Sequence, residues 1–224
     1  MIYAVPTKKG IGVELWGTRA DLEYLYDVIS KFWGDDISAG IRGSEDKDNL
    51  ISSFSYELRK ALYGSRLTRD TSHYYFEETP YYGFKVSWVH ILFTLATIKY
   101  NMKLVQTNKA DIAMILHIEY WVEKAMKDYD PIGAIALLPY FDDAIYAENE
   151  YLYLYMRHIN LRFFEMKGGK ISFRKLGDLM RTAVYSSDEY KELLNFMRSE
   201  AKNHKCQIQD MELNDDNEIY EIEW

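Results

Sequence analysis

The longest run of this chain without a formally charged residue is Val86–Ile98, thirteen residues that include His90. A bilayer span takes about 20 residues, so even the most apolar segment is too short to cross a membrane. The chain is therefore expected to fold in water around its own core. Its 224 residues allow this, because a chain of that size buries roughly 70–75% of its unfolded surface. With 48% hydrophobic residues, 16% aromatics and four prolines, disorder is excluded, and neither metal nor disulfide is needed as a staple.

The apolar run predicts a helix over 88–100, capped by Ser87, with Trp88, Ile91, Leu92, Leu95 and Ile98 at helical spacing. Before it, both periodicities occur. Ile2–Val5 and Val13–Trp16 read as a hairpin around the Pro6–Lys9 turn and Gly10-Ile-Gly12. Thr18, with Asp21 three residues on, caps a helix over 19–33. Gly34–Asp48 reads as a loop, and Asn49 as the cap of a helix over 50–63 that stops at Gly64. His73–Glu77 and Tyr82–Ser87 read as a second hairpin turning at Thr79-Pro80.

Beyond Thr107 the pattern is helical: 108–128, ended by Pro131, then a short turn over 133–138, then 142–166. Lys167-Gly168-Gly169-Lys170 is a stop, Ser172 opens 173–184, and Ser186/Ser187 with Glu189 open 188–202. The last nineteen residues alternate again, with Asn214–Asn217 as a turn, and predict a C-terminal hairpin. No repeat and no Pro/Gly/Ser linker divides the chain. The expectation is one α+β domain over 1–224 in which helix exceeds strand: a mixed part (1–105), a helical part (106–205) and an acidic segment (206–224).

Charge narrows the partners. Of the net −8, residues 206–224 hold seven acids and no Lys or Arg, which leaves −1 for residues 1–205. Such a body has no electrostatic footprint for phosphate backbones, so nucleic acid is not expected as a partner. Ser172–Lys205 could be read as a helix-turn-helix, but its basic surplus is two and its helices are long for that motif. The single cysteine, Cys206, forms no intrachain disulfide, and MIYAVPTKKG is not a secretory leader, so a cytoplasmic setting is expected.

The chemistry-bearing motifs are few. There is no His-Glu-x-x-His, no Glu-x-x-His pair and no Gly-x-Ser-x-Gly. A metal site would have to be assembled from distant residues such as His117 and His158, and neither metal nor cofactor is expected. Cys206 adjoins the acidic segment, which raises a thiol pKa. Gly169-Lys170 lacks the glycine and hydroxyl of a phosphate loop, with Phe164 and Ile171 in their places. No catalytic residue is assigned. The candidate ligand-binding group is Tyr56, Arg59, Arg66 and Arg69, around a helix end and the next strand. Arginine forks bind carboxylate or phosphate bidentately, while the plainer reading is surface salt bridging with Glu57 and Asp70. Twenty tyrosines suit an interface, because they offer large area at low entropic cost.

Three blocks, IGVELWGTRADLEYLYDVI (11–29), YELRKALYGSR (56–66) and FKVSWVHILFTLATI (84–98), resemble a bacterial family of uncharacterised proteins. The resemblance covers about the first hundred residues and implies a bacterial cytoplasmic setting, with no activity, ligand or catalytic residue. The residues themselves point to a non-enzymatic protein that associates with itself or another protein. The alternating Ile219, Tyr220, Ile222 and Trp224 would expose apolar groups if left free, and so are expected to pair with this chain or another. The alternative is a small-molecule (anion) binding protein or enzyme with an arginine-lined pocket.

Overall fold

Alternation of Val13, Leu15, Phe84 and Val86 places these four side chains on one buried face of a sheet. The computed structural model describes residues 1–34, 43–72, 78–211 and 222–224. β1 (Tyr3–Pro6) and β2 (Gly12–Gly17) form the first hairpin, Tyr3 opposite Trp16. With β3 (Leu67–Ser72) and β4 (Glu78–Ser87) they make an antiparallel sheet of order β1-β2-β4-β3. Eight α-helices occur among the described residues: α1 (Arg19–Ile29), α2 (Ser44–Leu62), α3 (Trp88–Asn101), α4 (Lys109–Tyr129), α5 (Pro131–Leu137), α6 (Leu152–Glu165), α7 (Lys170–Met180) and α8 (Asp188–His204). The fold is α+β, and helix exceeds strand.

The apolar run becomes α3, which is buried nearly all round. A helix without a polar face belongs inside. α2 and α6 pack on it, as do β2, β4 and the 3-10 turn Leu138–Phe141. One continuous core extends from Ile2 to Met197 and joins the mixed part to the helical part.

Several boundaries differ from expectation, each for a local reason. The helix predicted over 19–33 ends at Ile29 and tightens into a 3-10 turn over Ser30–Phe32. α2 starts at Ser44, inside the predicted loop, so Asn49 is interior and not a cap. Glu45 and Asp46 complement the helix dipole in the first turn. The Asp46 carboxylate also accepts from the Tyr153 amide at 2.9 Å, which ties α2 to the start of α6. The rest of that loop, residues 35–42, lies outside the described residues. β4's hairpin partner is Leu67–Ser72, whereas the predicted strand 73–77 lies outside the described residues. Thr79-Pro80 is within β4, opposite Thr71 and Asp70. There β4 has run past β2 and has a neighbour on one side only, where proline is tolerated.

The helix predicted over 142–166 is restricted to Leu152–Glu165. The Tyr146 amide donates to Ala183 O at 3.0 Å, and Asn149 Oδ1 accepts from the Tyr151 amide, so this backbone bonds outside a helix. Ser172 is not a cap, since α7 begins at Lys170 and the Ser172 hydroxyl donates back to Met166 O and Gly168 O. Of the predicted C-terminal hairpin, residues 212–221 lie outside the described residues. Ile208–Asp210 is a 3-10 turn and Ile222–Trp224 carry no strand ladder. Glu223 pairs with Lys9, and the Lys85 ammonium stands 5.9 Å from the Trp224 ring. Among the described residues no helix is long and apolar enough to cross a membrane.

Pro131 both ends α4 and opens α5, with Asp130 as the shared hinge. The Asp130 carboxylate caps α5 at the Gly133 amide and receives Arg174 from α7 twice, Nε at 2.7 Å and Nη2 at 2.9 Å. The Arg174 guanidinium holds this carboxyl below its usual range. Asp130→Ala removes a cap and a bidentate ion pair between α5 and α7, and is expected to lower Tm by several degrees. A thermal melt that matches the parent would show the junction to be held by packing alone.

Candidate functional site

Ser52 and Arg59 each lie three or four residues from both Ser55 and Tyr56, so the four share one face of α2. Tyr26 of α1, Trp33 just after it and Tyr153 of α6 close around that face and leave a cleft of about 470 Å³. That volume falls in the range of small-molecule sites. Asn49 and Ser53 also line it, and among the described residues Arg59 carries the sole formal charge of the lining.

Three features make this cleft chemically unsaturated. No carboxylate lies within ion-pair distance of Arg59 among the described residues; its guanidinium stands 5.7 Å from the Tyr56 ring. Ser55 is 2% exposed, and its hydroxyl has no hydrogen-bond partner. The Trp33 indole N–H is buried and equally unpartnered. A helical serine ordinarily bonds back to a carbonyl one turn earlier, as Ser53 does to Leu50 at 2.8 Å. A buried donor left unmatched costs about 1–3 kcal/mol, so two beside an unpaired cation call for an explanation.

The predicted site residues do not form one clamp. Tyr56 and Arg59 meet at this cleft, with Tyr56 at the rim, 44% exposed. Arg66 chelates Glu57 with Nε at 2.6 Å and Nη2 at 2.9 Å, which is the surface salt bridge of the plainer reading. Arg69 is on the sheet face opposite the core, its guanidinium 5.0 Å from the Tyr3 ring, 4.6 Å from Trp16 and 6.0 Å from Tyr81. There it covers aromatic surface. Tyr26, Trp33, Ser55 and Tyr153 were not legible as partners of Arg59. Ser55 carries the only local signal, its spacing from Arg59 along the helix.

Over residues 2–224 the sequence matches the family described as a domain of unknown function (DUF6904). The chain belongs to that family. The match extends well past the first hundred residues that carry the resemblance. No curated protein and no solved structure matches this DUF6904 chain.

A second cavity, of about 500 Å³, abuts the first across Tyr56 and Tyr153. Among its lining residues Ser53, Ser87, His90 and Asn160 are hydrogen-bonded to protein groups. Ser87 caps α3 at the His90 amide and donates to Asn160 Oδ1 at 2.7 Å. His90 Nε2 stands 3.0 Å from Ser53 Oγ. Because the Ser53 hydroxyl donates to Leu50 O, the consistent assignment has Nε2–H donating to Ser53. Burial pushes His90 down to about 4, so it is neutral at pH 7. In this arrangement the serine proton goes to a carbonyl and the imidazole nitrogen is a donor, the reverse of a nucleophile–base pair. His117 is likewise occupied, with Nε2 at 2.8 Å from Ile2 O. No cluster of three or more His, Cys, Asp or Glu side chains is placed to hold a metal among the described residues.

Proposed function

We propose that this protein binds a small organic anion with a flat or aromatic body in the cleft between α1, α2 and α6. The observation that carries this reading is Arg59, which among the described residues is the one formal charge of the lining and has no carboxylate within ion-pair distance, in a lining that also holds Ser55 and Trp33, each with a buried donor lacking an acceptor. A guanidinium fork takes a carboxylate or phosphate bidentately. The Trp33 N–H and the Ser55 O–H are closed to solvent in the free protein and turn toward further acceptors only as the ligand enters, while the rings of Tyr26, Tyr56 and Tyr153 flank the ligand body. Binding is favoured over turnover, because the adjacent Ser53–His90 pair is arranged against nucleophilic attack. A chain with one cysteine builds no internal disulfide, which suits a reducing cytoplasm.

The test is calorimetric titration with benzoate and phenyl phosphate, with inorganic phosphate as the probe without an aromatic body. Benzoate or phenyl phosphate is expected to bind the parent, and Arg59→Ala to weaken that binding about 10- to 100-fold. Ser55→Ala should weaken it less, about 3- to 10-fold, while stabilising the free protein by removing an unmatched donor. Absence of binding by either aromatic anion, or equal binding by Arg59→Ala, would overturn the reading.

A further inference from the structure

α4 buries Ile115, Ile118, Val122, Ala125 and Met126 against β1, α1 and α5. Its opposite side leaves Ile112 38%, Leu116 53% and Tyr120 58% exposed. Lys109 precedes this trio and Glu123 follows it. At 3.6 residues per turn the five positions fall within an arc of about 80°. Their spacing of three, four, four and three residues keeps them on one stripe of the helix.

We propose that this stripe seats a second copy of the chain, α4 lying antiparallel on its counterpart about a two-fold axis at Leu116. The stripe is complementary to itself, which an isologous interface requires and a foreign partner does not. Lys109 and Glu123 each stand seven residues from Leu116, on opposite sides. Rotation about the axis therefore brings Leu116 onto Leu116, Ile112 onto Tyr120, and Lys109 onto Glu123, the last two contacts occurring twice. Lys109 has no carboxylate within ion-pair distance among the described residues. Glu123 pairs with Lys127 of its own helix and can accept a second cation. One helix pair is a small interface, so the dimer is weak and depends on concentration. None of these residues lines the Arg59 cleft, so the inference does not rest on anion binding.

Sedimentation equilibrium of the full chain over a wide concentration range tests it. The weight-average mass is expected to climb from 26.5 kDa toward twice that value. Leu116→Glu sets two carboxylates face to face at the axis and should hold the mass at 26.5 kDa with Tm unchanged, since the site is exposed. Lys109→Glu and Glu123→Lys each create two like-charge contacts and should weaken the dimer roughly 3- to 10-fold. The double variant K109E/E123K restores the pairing and should recover the parent constant. A parent that stays at monomer mass at every attainable concentration would overturn the proposal. So would a dimer indifferent to Leu116→Glu, or a double variant no better than the singles.

Discussion

Trp88→Ala is expected to remove about 3–5 kcal/mol of unfolding free energy, the range for deleting a buried large aromatic. Trp88 is fully buried at the first turn of α3. Its indole N–H donates to Gly10 O at 3.0 Å, which anchors the turn between β1 and β2. Its ring lies 5.6 Å from that of Phe173 in α7, and Phe173 in turn packs edge-on to Tyr129 at the end of α4. A single side chain thus ties the first hairpin to α3, α4 and α7, and no neighbour can collapse into its space without releasing one of those elements. Urea unfolding should show a lowered midpoint at unchanged slope. Trp88→Phe keeps most of the volume but leaves Gly10 O without its donor, and should cost about 1–3 kcal/mol. A loss under about 1 kcal/mol for Trp88→Ala would mean that the two halves of the core are not coupled here.

The second large effect is acid destabilisation through His90. Burial lowers its pKa from 6.5 to about 4, so the folded protein refuses a proton that the unfolded chain accepts. Above the unfolded value both states are neutral and the contribution of His90 is fully present. As pH falls from 6.5 toward 4 the unfolded state gains protons and stability declines; below 4 the loss levels off. The gap corresponds to roughly 2–4 kcal/mol. His158 is displaced in the same direction by burial, so the parent has to be compared with His90→Gln. Asp111 and Asp130, held low by Lys31 and Arg174, lose their contribution only as pH drops through still lower values. Stability of His90→Gln should therefore fall much less between pH 6.5 and 4. Parallel profiles for parent and variant would refute a buried neutral imidazole.

Helix starts were legible where their chemistry is local. Thr18 with Asp21, Ser87 with the His90 amide and Ser187 with the Tyr190 amide each close a bond over three residues, and each is a cap in the structure. Asn49 and Ser172 belong to the same residue class and are not caps. Distant groups decide those cases: Asp46 reaches the backbone of α6, and the Gly169 amide donates to Lys9 O. The long helix expected over 142–166 fails likewise, because Tyr146 bonds to Ala183 from beyond α7.

The candidate site divides along the same line. Tyr56 and Arg59 are three residues apart on one helix, so their proximity follows from the sequence alone. Which arginine keeps an uncompensated charge does not, because Glu57 captures Arg66 and three rings on the outer sheet face capture Arg69. The amino-acid sequence by itself determined the α+β content, the buried apolar α3 and the capped helix starts, since periodicity and capping act within a few residues. Only the tertiary structure decided that Trp33 and Tyr153 close on Arg59 and that Ile112, Leu116 and Tyr120 stay uncovered. Whether a polar group is satisfied or an apolar one buried depends on what packs against it, and those partners are set by chain segments scores of residues away.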